Sequence, residues 1–433
     1  MLQTLIHIPH EILGIPVFGW GWGLGVWALV AIPIIALSIR THSWRSETIQ
    51  HFIVFGLLGG AVIFLPHLEA TDSSGAPVGL PIRGYGVMML LGIVTGVGLA
   101  MYRARRMGID PEWIISLAFS MMIAGLLGAR LFFVIEFWDQ FQRPTLGETL
   151  AATLKVTEGG LVVYGSLIGA SIAACTFFIR HRLPVLAMAD LIAPSLLLGL
   201  ACGRIGCLLN GCCFGQVCEA PWALRFPRSS SRVDDRLLSP AYEFQSQMGH
   251  FHGLQMAAGT DQTDADQPVV TWIAHNSPAD QAGFRPGDVI NTINGAPVST
   301  NHELYAALAQ VNREMTVTLK NGKTATSSLA NWPAQSLPVH PTQVYSSIHA
   351  LLLCLFLCAY YPYRRRDGEV IALCLTLYPI ARYLLEIIRA DESIAWGLTI
   401  SQVVSSLLLV AVVLLWIVVL RQPKGSALPR SSA

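Results

Sequence analysis

Long apolar runs, broken at regular intervals by arginine-rich connections, dominate the chain. About 20 helical residues cross the hydrocarbon core of a bilayer. Runs near that length lie at 17–38, 50–67, 83–103, 113–135, 160–180, 186–208, 342–362, 368–389 and 399–420, which predicts nine spans. From about 210 to 340 the pattern changes. There apolar and polar residues alternate in short stretches bounded by glycine, proline and asparagine, the pattern of strands and turns in a water-soluble domain. The expected fold class is an all-α polytopic membrane protein with one inserted α+β domain.

Composition agrees. The 433 residues are 53% hydrophobic and 13% charged, which excludes an ordinary soluble enzyme. The net charge of +1 gives no reason to expect a nucleic-acid partner. The N-terminal MLQTLIHIPHEILG lacks the basic start and small-residue cleavage site of a signal peptide, so the first span is expected to do the targeting. Alternate connections are basic: Arg40 and Arg45; Arg103, Arg105 and Arg106; Arg180 and Arg182; Arg364, Arg365 and Arg366; Arg421 and Lys424. The positive-inside rule puts all of these in the cytoplasm. The N-terminus and the 210–340 insertion are then expected on the periplasmic side of a bacterial inner membrane, and the C-terminus inside.

Within the insertion, VVTWI and VINTI read as strands, and SPADQAGFRPGD as a short helix and turn with Gly283 and Gly287 at positive φ. NG reads as a tight turn. NHELYAALAQV is an amphipathic helix with Leu304, Ala307, Leu308 and Val311 on one face, and MTVTLKNGKTATSSL is a hairpin. QTDADQ, from Gln262, is a polar loop. The order SPA, AG, PGDVI, ING resembles a PDZ domain, placed at about 245–332. The resemblance implies an extended or C-terminal peptide ligand added to a sheet edge. FHGLQM, Phe251 to Met256, is the candidate carboxylate-binding loop. A domain that only caps the membrane core is the competing reading.

The chemistry lies in the apolar runs. Tyr378, Arg382, Glu386 and Arg389 interrupt IALCLTLYPIARYLLEIIR. At 100° per residue they share roughly 80° of one helix face. Charged groups at that depth face a cavity or the bundle interior and mark a functional site. Arg204 lies in GRIGCLLNGCCFG with Asn210 and Gly215, Arg130 ends IAGLLGAR, and Tyr164 opens a span in EGGLVVYGSLIGA, from Glu158. One arginine alone would be read as snorkelling to the interface. Four, predicted to reach the same leaflet, point to an anion, because a guanidinium fork matches phosphate or carboxylate. An anionic phospholipid headgroup is the ligand expected at that depth.

These motifs resemble the prolipoprotein diacylglyceryl transferase family. GRIGCLLNGCCFG resembles its GRxGNxxNxExxG signature, YPIARYLLEIIR its Tyr-x3-Arg-x3-Glu-x2-Arg helix, and RGYGVMMLLG, with Tyr85, its first shared span. GGLVVYGSLIG resembles its His-Gly-Gly-Leu segment, and HPTQVY, from His340, its His-Pro-Ser-Gln-Leu-Tyr turn. The resemblance covers about 80–210 and 338–420. The resulting division is 1–78, an added membrane pair; 79–215 and 338–422, the transferase-like core; 216–337, the periplasmic insertion; and 423–433, a cytoplasmic tail.

The resemblance implies transfer of the diacylglyceryl group of phosphatidylglycerol to the lipobox cysteine thiol of a preprolipoprotein, releasing glycerol phosphate. Phosphatidylglycerol and lipobox peptides are the implied partners, and no cofactor is implied. Arg204 and Arg382 become the phosphate clamp, and Glu386 orients Arg382 or Arg389. Tyr85, Tyr164 and Tyr378 are proton acceptors or headgroup partners. Arg130, Asn210, Gly215, Arg389 and His340 complete the expected binding set. The sequence departs from the pattern at three places: Tyr164 stands for histidine, Cys207 for the signature asparagine and Cys212 for its glutamate. The alternative left open is an altered relative that binds anionic lipid and recruits envelope proteins through the PDZ domain. A transporter is disfavoured, since no inverted repeat with helices broken at the midplane is evident. The C-x4-CC-x4-C spacing of Cys207, Cys212, Cys213 and Cys218 is not a zinc pattern, so disulfides are expected there and no metal site.

Overall fold

The computed structural model describes residues 3–42, 55–56, 58–71, 75–142, 145–154, 160, 162–229, 238–258, 267–309, 311, 313–329, 331–389, 398–425 and 427. Arg45, Glu158 and most of the polar loop after Gln262 lie outside them. The chain forms two compact units, 1–88 with 205–341, and 89–204 with 342–433. The principal helices are α1 (Trp22–His42), α2 (Gly84–Arg106), α3 (Pro111–Glu136), α4 (Val163–Arg180), α5 (Val185–Asn210), α6 (Thr342–Tyr360), α7 (Glu369–Glu386) and α8 (Ile400–Arg421).

Six helices among the described residues are long and apolar enough to cross a bilayer: α2, α3, α4, α5, α6 and α8. The first two predicted spans correspond to shorter apolar helices, Trp22–Leu37 and Leu58–Leu68. Helix α7 has 18 residues and carries Glu369, Arg382 and Glu386, too many charges for a plain apolar span. The predicted run to 389 ends early, at Glu386, and Arg389 lies in the turn that follows.

In the unit 89–204 with 342–433, caps fix the helix starts. Asp110 accepts a hydrogen bond from the Glu112 amide at 2.9 Å, with Pro111 in the first helical position of α3. Helices α3 and α4 pack backbone to backbone. A Cβ on Gly128 would lie 2.4 Å from the Gly165 carbonyl oxygen, and one on Gly165 2.3 Å from that of Gly128. Small residues permit this approach, and dispersion contact, rather than apolar burial, holds helices together in lipid. Leu407, Val410, Leu414 and Val418, at helical spacing on α8, remain exposed as a face for lipid.

Two connection arginines of this unit are buried. Arg103 donates to the Leu191 carbonyl at 2.7 Å and stacks over Tyr361, while Arg364 lies over the same ring at 3.8 Å and 3.7 Å from Asp190. Asp190 accepts from the amides of Gly368 and Ile371, both at 2.8 Å. The basic connections thus also staple helix ends to one another.

The unit 1–88 with 205–341 departs from the all-α expectation at its start. Strand β1 (Thr4–Pro9) pairs antiparallel with β3 (Pro77–Arg83), whose other edge takes the two-residue β2 (Ala70–Thr71). The run TLIHIP is short and β-branched, and its partner residues lie 70 or more positions away, so local periodicity does not reveal the pair. The insertion folds as a small α+β domain. Strands β4 (Leu254–Ala258) and β5 (Pro268–Ile273) form a hairpin, and β6 (Ile290–Ile293), β7 (Ala296–Pro297), β8 (Glu314–Leu319) and β9 (Thr324–Ser328) form a sheet of order β9-β8-β6-β7. The expected turns are present: Gly283 and Gly287 have φ +78° and +95°, and Asn294-Gly295 has +49° and +81°. Leu304 and Leu308 of the helix Asn301–Ala309 enter a core with Met256, Val270, Ile290, Ile293, Met315 and Val317. The expected carboxylate loop is smaller than predicted. Only Phe251 to Gly253 precede β4, and Leu254 and Met256 are buried strand residues.

Candidate functional site

The α7 stripe is a built cluster within the unit 89–204 with 342–433. Glu386 is 3% exposed, with two guanidinium groups and one hydroxyl around its carboxylate. Its Oε2 is paired with Arg382 Nη1 and lies 3.2 Å from Arg389 Nε, and its Oε1 accepts from the Thr399 hydroxyl at 2.9 Å. Arg382 also donates to the Ser401 hydroxyl at 2.7 Å. Two cations around one carboxylate leave a net positive charge, and a buried carboxylate is tolerable only when paired and hydrogen-bonded in this way. Thr399 and Gln402 form the capping box that starts α8, so the helix N-terminus and the carboxylate share one side chain. Thr399, Ser401 and Gln402 were missed by residue-type reasoning. The T-x-x-Q spacing was the available signal.

Tyr378 is half-buried, its ring 6.2 Å from that of His349. Tyr164 is half-buried in the first turn of α4. Arg204 is half-buried on α5. Arg130 is engaged by main chain. Its guanidinium donates to the carbonyls of Thr153, Ala152 and Gly160 at 2.7, 3.1 and 3.3 Å and stacks on Phe133 and Phe141. It closes the C-terminal end of the short helix Leu146–Leu154, where carbonyls lack partners and a cation is favoured. Those carbonyls follow it by more than 20 residues, so spacing alone read it as a headgroup ligand.

The remaining expected residues belong to the unit 1–88 with 205–341. The Tyr85 ring packs on Gly206, where a Cβ would come within 3.2 Å of it. The Gly215 amide donates to the His340 carbonyl at 2.9 Å, and the His340 amide to Gln216 at 3.0 Å. The GCCFG and HPTQ segments are thus joined through main chain. Asn210 ends α5, its carbonyl accepting from Gln3 and its side chain bonding to the Cys212 sulfur. The expected disulfides are not formed: none of the nine cysteines is bridged. Instead the sulfurs of Cys207, Cys212 and Cys213 converge within 4.8 Å of one another.

Six helices long and apolar enough to cross a bilayer, with a buried guanidinium–carboxylate cluster beside them in sequence, define a multi-pass membrane protein. The sequence profile of the prolipoprotein diacylglyceryl transferases matches residues 76–418. The phosphatidylglycerol–prolipoprotein diacylglyceryl transferase of Rhodopirellula baltica is 34% identical over 441 aligned residues, covering 95% of this chain and 88% of the relative. Enzymes of the same name match in Nostoc, at 32% over 171 residues (39% of this chain, 58% of the relative), and in Chromohalobacter salexigens, at 36% over 163 (38% and 59%). The chain belongs to the prolipoprotein diacylglyceryl transferase family.

Proposed function

We propose that this chain transfers the diacylglyceryl group of phosphatidylglycerol to the lipobox cysteine thiol of preprolipoproteins, releasing glycerol phosphate, the first step of bacterial lipoprotein maturation. Family membership supports the activity, and the Arg382–Glu386–Arg389 cluster is the observation that carries the mechanism. As the glyceryl C–O bond breaks, negative charge grows on the departing phosphate. Arg382, with Arg204, meets that charge, and guanidinium groups held in place before the reaction stabilise it without reorganising. Glu386, Thr399 and Ser401 hold the fork in position. Tyr164 and Tyr378 hydrogen-bond the headgroup.

The chain sits in the inner membrane with nine spans, the N-terminus and the inserted domain periplasmic and the C-terminus cytoplasmic. The inserted domain is a PDZ module that takes an extended peptide and presents acceptors to the core. The alternating basic connections and the fold of the domain support these readings. The experiment is conversion of a lipobox peptide to its diacylglyceryl thioether by the purified chain in vesicles with or without phosphatidylglycerol. Product is expected only with that lipid, and Arg382→Ala and Arg204→Ala each abolish it. Lipid binding without any thioether product would establish a binding protein instead.

A further inference from the structure

We infer that Cys207, Cys212 and Cys213 hold a thiophilic divalent cation of the zinc class, with its fourth position taken by the thiol of the acceptor peptide. The inference rests on the transferase reading for the identity of that fourth ligand. The cluster lies wholly in the unit 1–88 with 205–341, and its ligand atoms lie within 4.8 Å of one another. Thiolates on a tetrahedral zinc stand about 2.3 Å from the metal and hence about 3.8 Å apart, so shifts of a few tenths of an ångström per sulfur complete the arrangement.

The backbone is bent to produce this convergence. Neighbouring residues ordinarily send their side chains apart, yet Cys212 and Cys213 both reach Cys207. Gly211 turns the chain off the end of α5 at φ +75°, and the Cys212 amide donates back to the Cys207 carbonyl at 3.2 Å. Cys213 then takes φ +60°, a left-handed conformation that a β-carbon disfavours. A strained non-glycine residue persists where its surroundings require it, and such residues gather at functional sites. This turn is why the C-x4-CC spacing, unlike any zinc pattern in sequence, can present three sulfurs to one point.

The chemistry of the donor set selects the ion. Three soft thiolates favour zinc over hard cations, and three protein ligands leave a tetrahedral ion one position short. All three cysteines are half-buried, so the trio is not sealed in the interior of the fold. The proposed reaction brings a thiol, and the thiol must ionise to react. Coordination deprotonates a bound thiol outright. The acceptor S–H bond breaks as the Zn–S bond forms, and its proton leaves to water. The metal-held sulfur then attacks the glyceryl carbon: the C–S bond forms, the C–O bond to phosphate breaks, and the Zn–S bond breaks as the neutral thioether leaves, which reopens the fourth position. The electron pair leaves with glycerol phosphate, which takes up a proton from water.

The test uses the full chain purified in detergent with a thiol reductant and no chelator. Metal analysis is expected to find one zinc per chain. Cys207→Ser and Cys212→Ser should each lower zinc affinity at least about tenfold, while Cys218→Ser, in the same loop but outside the cluster, should retain it. Cobalt exchanged into the site should give thiolate charge-transfer bands whose visible partners shift on adding a lipobox peptide, and not on adding its Cys→Ser version. Zinc removal should lower thioether formation at least about 100-fold, with zinc restoring it. No metal at saturating zinc with all thiols reduced, a disulfide within the trio, copper in place of zinc, or cobalt bands indifferent to the peptide would each overturn the inference. Full turnover by stripped protein sinks this inference alone. A peptide-responsive cobalt site with no thioether product sinks the transferase reading and leaves the cation site standing.

Discussion

Glu386→Gln tests whether the buried carboxylate positions the clamp. The side chain keeps its size and loses its charge. In the native cluster one carboxylate receives Arg382, Arg389 at 3.2 Å and Thr399 at 2.9 Å. Removing one partner of a buried charge cluster costs about 3–5 kcal/mol, because the remaining charges are left uncompensated. The carboxamide still accepts one guanidinium bond, so about 3–4 kcal/mol is the expected loss of clamp order, which corresponds to roughly 10²–10³ in rate. The effect should be confined to kcat. The substitution adds one unit of positive charge, so phosphatidylglycerol binding does not weaken and KM stays level or falls. The assay is thioether formation from a fluorescent lipobox peptide over a lipid titration, with size-exclusion behaviour as the folding control. Glu386→Asp keeps the charge and should lose less. A kcat within about threefold of wild type, in folded protein, would refute the positioning role.

Other predictions concern separate parts of the molecule. Tyr164→Phe removes one hydrogen bond and should lower turnover about tenfold, where loss of a general base would cost 10²–10⁴. Gly128→Val places a β-carbon 2.4 Å from the Gly165 carbonyl, which should separate α3 from α4 and cost about 1–3 kcal/mol, read as a lower melting temperature in detergent. His250 is buried among Phe244 and Trp272, and burial pushes its pKa down from 6.5 to about 4. Its contribution is complete above pH 6.5 and declines toward pH 4, as the unfolded chain alone takes up the proton. About 3 kcal/mol is lost across that window, and His250→Phe should flatten this part of a stability–pH curve. Replacing 249–331 with a short Gly–Ser linker should leave turnover of a small lipobox peptide within about threefold of wild type, since closing a shorter loop costs no more.

Much of the centre was legible because it is local. Tyr378, Arg382 and Glu386 share a helix face by simple angular arithmetic, whereas Thr399 and Gln402, whose capping pattern fills only four letters, carry no charge to mark them out. The inserted domain was legible for the same reason, since its turns are written as PGD and NG. Features depending on distant partners were not. Arg130 was read by its depth, whereas its carbonyl partners come from a later helix. The β1–β3 pair joins residues 70 or more positions apart. The cysteine trio required the left-handed turn at Cys213, which nothing in the letters GCC announces. The same charges that make α7 the candidate site also remove it from a count of plain apolar spans.

The pairing of residues 215–218 with 338–340 has a consequence for how such a chain could have been assembled. The Gly215 and Cys218 amides donate to the carbonyls of His340 and Pro338, both at 2.9 Å. The departing and returning strands are therefore zipped together at their feet. Whatever hangs beyond them adds little closure entropy to the membrane part and leaves its two halves in register. The feet act as a socket. Modules of any length with neighbouring termini could be traded there without redesign of the catalytic core, and the domain found in this chain is one occupant of a place open to others.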